Sequence, residues 1–351
     1  MNFKIDLKNL KNFVIAEIGT NHNRSKKKAI EMINQVARTK CDCVKFQIYE
    51  PSEIVSKKVM AKDYGLNKIY GNISAYEMFK KNLVTPKSWF PELKKLCHKR
   101  KMAFAVTIHG ENGIKWAKKN KPDIIKVASM DHNNFPFIKK IINTLRVPIL
   151  VSLGMAQIND VKTLVEILKL HKYGFGLFHC TSLYPPRITE SRLLNIPYLI
   201  NTFQIPIGFS DHFVKAEGAK KAKLYGATFF EKHITLDPED IGPDHKFAIP
   251  IASLKKYIID LERIKFSKKI KLKSNSFLPL SSREKKIRLK YTKSIIVKSK
   301  IIKNSTISKN KIYISRPGTG IEPKFYQKVI GKVSTRNLYP EQVLQWNHIK
   351  K

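Results

Sequence analysis

The sequence predicts a (β/α)8 TIM barrel followed by a small β-rich domain. Short apolar runs alternate with segments in which apolar residues recur at helical spacing. Eight such strand–helix units fit into roughly 260 residues, which is the usual size of a (β/α)8 barrel. The main alternative, a doubly wound sheet, would normally have fewer strands and a glycine-rich first turn. The sequence contains no G-x-G-x-x-G motif, which favours the barrel.

Each predicted strand is a short apolar run that leads into polar residues. The eight strands are predicted over residues 14–18, 43–48, 102–108, 124–128, 148–153, 175–181, 205–209 and 227–232. The clearest helices, predicted from apolar residues spaced three or four apart, cover residues 29–37, 88–99, 159–170 and 253–264. The barrel domain is therefore predicted to span residues 1–264.

The pattern changes after residue 264. Residues 265–286 are rich in Lys, Ser and Asn, which predicts a linker. Residues 287–351 contain two β-like runs, 294–297 and 311–315, and a rigid loop that begins at Arg316. A domain of this size is only marginally stable alone, so we expect it to dock on another part of the protein.

The charge balance is strongly basic, at +40 for 351 residues. It comes from 56 lysines and only 11 arginines, spread along the whole chain. Nucleic-acid-binding proteins make greater use of Arg, which pairs with phosphate and guanine through two donors. We therefore interpret the charge as a solvated basic surface that attracts anionic small molecules, and we expect no nucleic-acid partner.

The apolar content of 42% is enough for a sizeable core and argues against general disorder. The longest apolar runs are far shorter than the ~20 residues that cross a membrane, so no membrane association is expected. The four cysteines, Cys41, Cys43, Cys97 and Cys180, form no C-x-x-C pair, and the first residues lack an apolar signal core. A reducing cytoplasm is the expected location.

Polar residues follow the apolar part of all eight strands, at the barrel end where such enzymes carry their active sites. They include Glu17, Lys45, Gln47, Thr107, His109, Lys126, Ser129, Ser152, Thr181, Ser182, Tyr184, Ser210, Asp211, His212, Glu231, Lys232 and His233. So many polar groups at one barrel end are costly to desolvate unless a ligand uses them. The sequence therefore predicts an active site there.

The residue types indicate what binds. Lys45 and Lys126 lie within otherwise apolar strands, where a lysine is rarely buried without an anionic partner. Together with the serine hydroxyls they suit a phosphate, which can be attached to a carboxylate. His212 and His233 end neighbouring strands and could share a divalent metal such as Mn2+, and the nearby Glu231 suits acid–base chemistry.

These residues lie in motifs that resemble the sialic acid synthases over nearly the whole chain. The opening motif is Ala16-Glu17-Ile18-Gly19-Thr20-Asn21-His22, and the later ones are Val44-Lys45-Phe46-Gln47, Lys126-Val127-Ala128-Ser129, Ser152-Leu153-Gly154-Met155, His179-Cys180-Thr181-Ser182-Leu183-Tyr184-Pro185, Gly208-Phe209-Ser210-Asp211-His212, Glu231-Lys232-His233 and Gly242-Pro243-Asp244-His245-Lys246. Arg316-Pro317-Gly318-Thr319-Gly320 resembles the loop of the antifreeze-like (SAF) domain of that family. Arg24, Leu153 and Lys293 stand where the family commonly has Gly, Thr and Arg.

The resemblance implies condensation of phosphoenolpyruvate with an N-acetylated aminosugar such as N-acetylmannosamine, giving a nine-carbon sialic acid and phosphate. The residues that would hold phosphoenolpyruvate are Lys45, Thr107, Lys126, Ser129, Ser152, Ser182 and Ser210, with Lys126 also counted as catalytic. His212 and His233 would bind Mn2+, or Mg2+ or Co2+ in its place, while Gln47, Tyr184 and Asp244 would face the sugar. Either Glu17 or Glu231 would guide the attacking water.

In the resembling family, the SAF domain of one subunit caps the barrel of its partner. The resemblance therefore implies a domain-swapped homodimer in which Arg316 reaches the N-acetyl group of the sugar. Two other functions remain open at this point. The chain could make legionaminic or pseudaminic acid from a 2,4-diacetamido-trideoxy hexose, or it could be a non-catalytic barrel that binds a sugar or a nucleic acid.

Overall fold

The computed structural model describes residues 3–264 and 276–350, and eight parallel strands close into a barrel. Each strand pairs with the next along the chain, and β8 pairs back with β1. The strands are β1 (Phe13–Glu17), β2 (Cys43–Ile48), β3 (Ala103–Ile108), β4 (Ile124–Val127), β5 (Ile149–Ser152), β6 (Phe175–Cys180), β7 (Ile207–Asp211) and β8 (Phe229–Thr235). The predicted fold is confirmed, with strand bounds within three residues of those expected.

Helices follow each barrel strand and cover its outer face. The helices of the described chain are α1 (Lys26–Val36), α2 (Pro51–Ile54), α3 (Asn67–Tyr70), α4 (Ala75–Met78), α5 (Phe90–Lys99), α6 (Glu111–Asn120), α7 (Phe135–Thr144), α8 (Ile158–Leu168), α9 (Asn195–Phe203), α10 (Glu217–Leu224), α11 (Ile251–Glu262), α12 (Ser282–Tyr291) and α13 (Tyr326–Val329). A short strand, β9 (Ile249–Pro250), extends the sheet beside β8. None of the described helices is long and apolar enough to cross a lipid bilayer.

The main core lies between the strands and the surrounding helices, because alternate side chains of each strand point to opposite faces. In β1, Val14 and Ala16 pack in this outer core, whereas Phe13 and Ile15 belong to a smaller cluster inside the barrel. The inner cluster also contains Cys43, Ile124, Phe178 and Phe229, among others. It fills the lower barrel and leaves the carboxyl ends of the strands, here called the mouth, to polar side chains.

The connection between β2 and α5 forms a layer of its own beside the mouth. It contains α2, α3 and α4 and a π-helical turn, Phe79–Leu83. Its buried side chains form a separate cluster that includes Tyr49, Ile54, Val55 and Met78. We call residues 49–86 the β2–α5 segment. No structure was predicted for it from the sequence.

The C-terminal domain has an independent apolar core, which includes Ile295, Val297, Ile307, Val329 and Leu338. Two antiparallel strands, β10 (Ser294–Val297) and β11 (Ile312–Ser315), support it, as the sequence predicts. The predicted linker, 265–286, differs from the structure in its last part, because α12 begins at Ser282 and runs across residue 286. Residues 265–275 of that linker lie outside the described residues.

Polar contacts, several of them buried, attach the C-terminal domain to the barrel. Lys293 Nζ lies 2.8 Å from Asp131 Oδ2, and both side chains are fully buried. Lys324 Nζ donates to Asp160 Oδ1 at 2.8 Å. Ser56 Oγ donates to Glu341 Oε2 at 2.6 Å. The expected docking of this domain is thus carried out largely by charged groups.

A further buried ion pair, which joins α12 to the barrel, provides a test of how much such contacts contribute to stability. Glu284 of α12 accepts hydrogen bonds from Arg192 Nε and Nη2, both at 3.0 Å, and the pair is buried. Glu284→Gln leaves the arginine charge uncompensated in a dry environment, so we expect it to lower the free energy of unfolding by about 3–5 kcal/mol. Urea unfolding of the full chain measures this.

The adjacent residue supplies the control. Arg283 pairs with Glu190, but its side chain is half exposed to solvent. Arg283→Met should therefore cost at most about 1 kcal/mol. Equal losses of stability in the two variants would show that the Arg192–Glu284 pair has no special role in docking.

Candidate active site

The alternation along each strand directs charged and polar side chains into the mouth. Glu17 follows Ile15 on the inward face of β1, and it is fully buried. The same rule applies to the other strands. The inward side chains are Lys45 and Gln47 of β2, Thr107 of β3, Lys126 of β4, Ser152 of β5, Ser210 of β7, and Glu231 and His233 of β8. The structure therefore brings these residues together at the mouth. Asp211 and Lys232, which were expected there too, instead face outward, because they alternate with Ser210 and Glu231; they pair with each other, and Tyr257 of α11 donates to Asp211.

Two lysines and two glutamates form a buried ion-pair network at the base of the mouth. Lys45 Nζ lies 2.8 Å from Glu17 Oε2 and 3.5 Å from Glu231 Oε2, and it donates to Thr107 Oγ1 at 2.8 Å. Lys126 Nζ donates to Glu231 Oε1 at 3.0 Å and to Oε2 at 2.8 Å. Glu231 thus lies between the two ammonium groups, and Lys45 joins the two carboxylates.

The two glutamates differ in how tightly they hold a proton. Burial raises the pKa of Glu17, because the opposing effect of Lys45 is incomplete and the charge of Glu231 adds to the shift. Burial acts in the same direction on Glu231, but Lys126 and Lys45 outweigh it and hold the pKa of this carboxyl well below its usual value. Ser210 Oγ also donates to Glu231 at 2.9 Å. Glu231 is therefore a fixed negative charge, and Glu17 is the carboxyl that takes up a proton more easily.

Hydroxyl groups line the mouth beside β5 and β6. Ser129 Oγ accepts a hydrogen bond from the backbone N–H of Gly154 at 3.2 Å. A Cβ atom at Gly154 would come within 2.2 Å of Ser182 Oγ and 2.6 Å of Ser129 Oγ. Ser182 Oγ is buried and has no hydrogen-bond partner among the described residues. Only a glycine leaves room here, and the free hydroxyl suits an anionic oxygen.

Cys180 is part of this group, although the sequence analysis did not select it. Its thiol lies 3.2 Å from Ser129 Oγ. Burial raises the pKa of Cys180, while Ser129, Lys126 and Ser152 act against that shift from close by. The thiol is therefore uncharged, and it lies close to both the serine hydroxyls and Lys126. Its position inside the motif from His179 to Pro185 was the signal that could have identified it.

His212 and His233 lie next to each other, with ring centroids 5.9 Å apart. His212 Nδ1 hydrogen-bonds to the carbonyl oxygen of Thr181 at 2.8 Å, so Nδ1 carries the proton and Nε2 is unprotonated, with Ser210 Oγ 3.4 Å away. His233 Nδ1 is buried without a hydrogen-bond partner and lies 3.6 Å from Asp244 Oδ2. Burial lowers the pKa of His212 to about 4 and that of His233 well below its usual value.

Neutral imidazoles are the form that binds a divalent metal, so this pair fits the metal that the resemblance implies. Among the described residues, no cluster of three or more His, Cys, Asp or Glu side chains has the geometry of a metal site. The protein itself therefore offers two imidazoles as metal ligands, and substrate or water would fill the remaining coordination positions of the metal.

Gln47, Tyr184 and Asp244 form the outer part of the mouth. Gln47 Nε2 donates to Glu17 Oε1 at 2.8 Å. A Cβ at Gly19 would lie 3.1 Å from Glu17 Oε1, 3.3 Å from Asp244 Oδ2 and 3.4 Å from Gln47 Nε2. Tyr184 stacks at the rim with its ring centroid 4.3 Å from that of His212. These three residues therefore surround the space above the ion-pair network.

Asp244 adds a third carboxyl group to the mouth. Burial raises its pKa to about 7, and the charge of Glu17 adds to the effect. Thr20 Oγ1 donates to Asp244 Oδ2 at 3.4 Å. Thr20 was not selected from the sequence, although it belongs to the opening motif. The mouth therefore holds more carboxyl groups than lysines.

Arg316 lies beside the mouth on the C-terminal domain and is only 3% exposed. Its Nε donates to the carbonyl oxygen of Ile54 at 3.0 Å, and its guanidinium lies over the rings of Tyr64, Phe79 and Tyr291 at 5.1, 5.4 and 5.6 Å. In this structure of a single chain, Arg316 contacts the β2–α5 segment of its own barrel. The implied exchange between two subunits is not tested by this arrangement and stays a prediction.

Comparison with known proteins agrees with this geometry. The NeuB family model matches residues 32–271, and the SAF domain model matches residues 292–350. An N,N'-diacetyllegionaminic acid synthase from Legionella pneumophila is 29% identical over 344 residues, which cover 96% of this chain and 94% of that protein.

Two solved structures are similar over most of their length. The spore coat polysaccharide biosynthesis protein SpsE of Bacillus subtilis has a TM-score of 0.82 and 25% identity, and the match covers 99% of both chains. The N-acetylneuraminic acid (sialic acid) synthetase of Leptospira borgpetersenii has a TM-score of 0.65 and 29% identity, covering 82% of this chain and 96% of that one.

The NeuB match spans more than half of the chain and includes the strands β2 to β8, which carry most of the mouth. The match confirms the resemblance seen in the motifs and sets aside the alternative of a non-catalytic binding barrel. The chain belongs to the NeuB family, whose synthases join phosphoenolpyruvate to aminosugars, and it carries an SAF domain after its barrel.

Proposed function

We propose that this chain condenses phosphoenolpyruvate with a 2,4-diacetamido-trideoxy hexose and releases phosphate, as a legionaminic acid synthase does. The expectation of N-acetylmannosamine is less well supported, because the synthase from Legionella that matches nearly the whole chain is named for a diacetylated product. The observation that carries the reaction type is the buried network of Lys45 and Lys126 with two glutamates at the mouth.

Phosphoenolpyruvate would bind at the base of the mouth. Its phosphate and carboxylate require cationic and hydroxyl donors, and Lys45, Lys126 and Thr107 are such donors in a desolvated position. The serine hydroxyls on the neighbouring strands complete the site; they are Ser129, Ser152, Ser182 and Ser210. In the free protein the glutamates neutralise the lysines. An anion that enters the site therefore replaces the glutamates as ionic partner of the lysines.

The sugar aldehyde would lie above phosphoenolpyruvate, between Gln47, Asp244 and Tyr184. His212 and His233 would hold a divalent ion there, which polarises an aldehyde oxygen when bound. The enol carbon of phosphoenolpyruvate attacks the aldehyde carbon, and the new alkoxide takes up a proton. The attack leaves positive charge on the second carbon of phosphoenolpyruvate, which must be met by negative charge from the protein.

We assign different parts of the next step to the two glutamates. Both oxygens of Glu231 already accept hydrogen bonds from Lys126 or Ser210, so this carboxylate provides fixed charge. Glu17 Oε2 has an ion-pair contact with Lys45 but no hydrogen bond of good geometry among the described residues, and it can accept the proton of an attacking water. Addition of that water gives a tetrahedral intermediate, which releases phosphate and leaves the keto acid.

Lys126→Met tests the anion site. It removes a buried charge-assisted contact, so we expect a loss of about 2–4 kcal/mol in binding of phosphoenolpyruvate or in transition-state stabilisation. Calorimetric titration and a phosphate-release assay measure the two effects. Lys118→Met on the exposed face of α6 changes the net charge equally and should alter neither. Equal affinities of wild type and Lys126→Met, with unchanged turnover, would show that Lys126 is only structural.

His212→Ala and His233→Ala test the metal site. Each should abolish turnover and weaken binding of Mn2+ measured by calorimetry, with the fold unchanged in circular dichroism, because the imidazoles are not part of the barrel wall. His171→Ala removes an imidazole at the opposite end of the barrel, before β6, and serves as control. Activity that persists after exhaustive chelation would contradict the role of a metal.

The exchange of the C-terminal domain between subunits can be tested by complementation. Arg316→Ala and Lys126→Met should each be inactive. If Arg316 acts on the partner barrel, a mixed dimer holds one site with both residues intact, and activity should return in part after dissociation and reassociation. If it acts within its own chain, every site keeps one defect. No recovery despite proven subunit exchange would reject the swapped dimer and leave the reaction itself unaffected.

A further inference from the structure

A group of side chains that the proposed chemistry does not use lies beyond Gln47; it consists of Tyr49, Phe79 and His109, and we call it the Tyr49 pocket. Tyr49 follows Gln47 by two residues, so it continues the inward row of Lys45 and Gln47 past the end of β2. This row leads from the lysine at the base of the mouth, through the amide above it, to a phenol. Tyr49 is therefore placed where the far end of a sugar would lie.

The hydroxyl group of Tyr49 has no partner in the part of the chain that the structure describes. The residue is 2% exposed, and its oxygen makes no hydrogen bond to any residue in 3–264 or 276–350. The ring packs in the small core of the β2–α5 segment, where a phenylalanine would fill the same space. A buried hydroxyl without a partner is unfavourable, so packing alone does not account for a tyrosine here.

The surroundings of Tyr49 combine donors with aromatic walls. Its ring centroid lies 5.9 Å from that of Phe79 and 5.7 Å from that of His109, both in edge-on contact. His109 Nε2 is also buried without a hydrogen-bond partner among the described residues. Arg316 lies over Phe79, with its guanidinium carbon 5.4 Å from the ring centroid, and within the described chain it has no carboxylate partner. Because His109 Nδ1 faces Asp131 Oδ2 at 3.7 Å, the proton of this imidazole belongs on Nδ1, and Nε2 is an acceptor. The pocket therefore offers donors from Tyr49 and Arg316 and an acceptor from His109.

Two charged groups near Tyr49 affect the pKa of its phenol. Burial raises the pKa of Tyr49, Asp244 adds to this shift, and Arg316 opposes it. The hydroxyl is therefore within the field of both the sugar-facing carboxyl and the arginine. It stays protonated at any physiological pH and is available as a donor.

An acetamido group matches this pocket better than a hydroxyl does. Its carbonyl oxygen can accept from the phenol, its N–H can donate to an acceptor such as His109 Nε2, and its methyl group can contact an aromatic face. A sugar hydroxyl has neither the second polar atom nor the methyl group, so it would leave part of the pocket without a partner. The pocket thus distinguishes between two classes of aminosugar by one substituent.

We propose that Tyr49 is a specificity-determining residue whose hydroxyl donates to the carbonyl oxygen of the second acetamido group of the sugar. This group is what distinguishes a 2,4-diacetamido-trideoxy hexose from N-acetylmannosamine. The inference rests on the proposed function, and it adds the residue that selects the substrate. Tyr49 acts on binding of the sugar and takes no part in binding phosphoenolpyruvate.

The test compares kcat/KM for the two sugars in wild type and Tyr49→Phe, by phosphate release from the full-length protein. We expect Tyr49→Phe to lower kcat/KM for the diacetamido sugar by about 10- to 100-fold, because its buried carbonyl loses a donor. The value for N-acetylmannosamine should stay within about threefold, and the KM for phosphoenolpyruvate should not change. Tyr198→Phe removes a phenol on α9, away from the mouth, and should leave both sugars unaffected.

The possible failures are distinguishable. If wild type releases phosphate with the diacetamido sugar and Tyr49→Phe affects neither sugar, or both equally, the role of Tyr49 is wrong and the proposed function stands. If wild type uses N-acetylmannosamine more efficiently than the diacetamido sugar, the selectivity assigned to the pocket is wrong. If wild type uses neither sugar, both the proposed function and this inference are wrong.

Discussion

The arrangement of the mouth depends on the pairing of two buried lysines with two buried glutamates. None of the four charges would be stable alone in this dry position, because removal from water costs several kcal/mol for each ion. Glu17 and Glu231 come from the first and last strands of the barrel, which are neighbours only because β8 pairs with β1. Lys45 contacts both glutamates, so closure of the barrel and neutralisation of the charges require each other.

The charge balance of the same network suits the proposed binding of an anion together with a cation. With Asp244 included, the mouth has three carboxyl groups for two lysines, before any substrate binds. An anionic substrate adds more negative charge, which a divalent ion on His212 and His233 would offset. Uptake of protons by the carboxyl groups whose pKa is raised, Glu17 and Asp244, acts in the same direction. The strongly basic surface favours the approach of anions but does not determine how they bind.

The regular part of this protein could be predicted from its sequence, because alternation along a strand fixes which side chains face inward. Lys45, Lys126 and Glu231 are recognisable in the sequence as polar residues within or at the end of apolar strands, and the structure places them together. Helix α12 was missed because charged and polar residues lie on all its sides, and its sequence has no apolar stripe. It is held by the contact of Glu284 with Arg192, far away along the chain, which local sequence patterns do not reveal.

Some of the residues proposed to recognise the sugar lie in the part of the chain that sequence patterns describe least well. Tyr49 and Phe79 belong to the β2–α5 segment, whose helices of four residues are too short to be stable without their own small core. Arg316 comes from a different domain and meets this segment through Ile54. The residues proposed for phosphoenolpyruvate, in contrast, lie on or beside barrel strands. A fold that keeps the common substrate on its rigid strands and the variable one on loops can change its sugar without disturbing its chemistry.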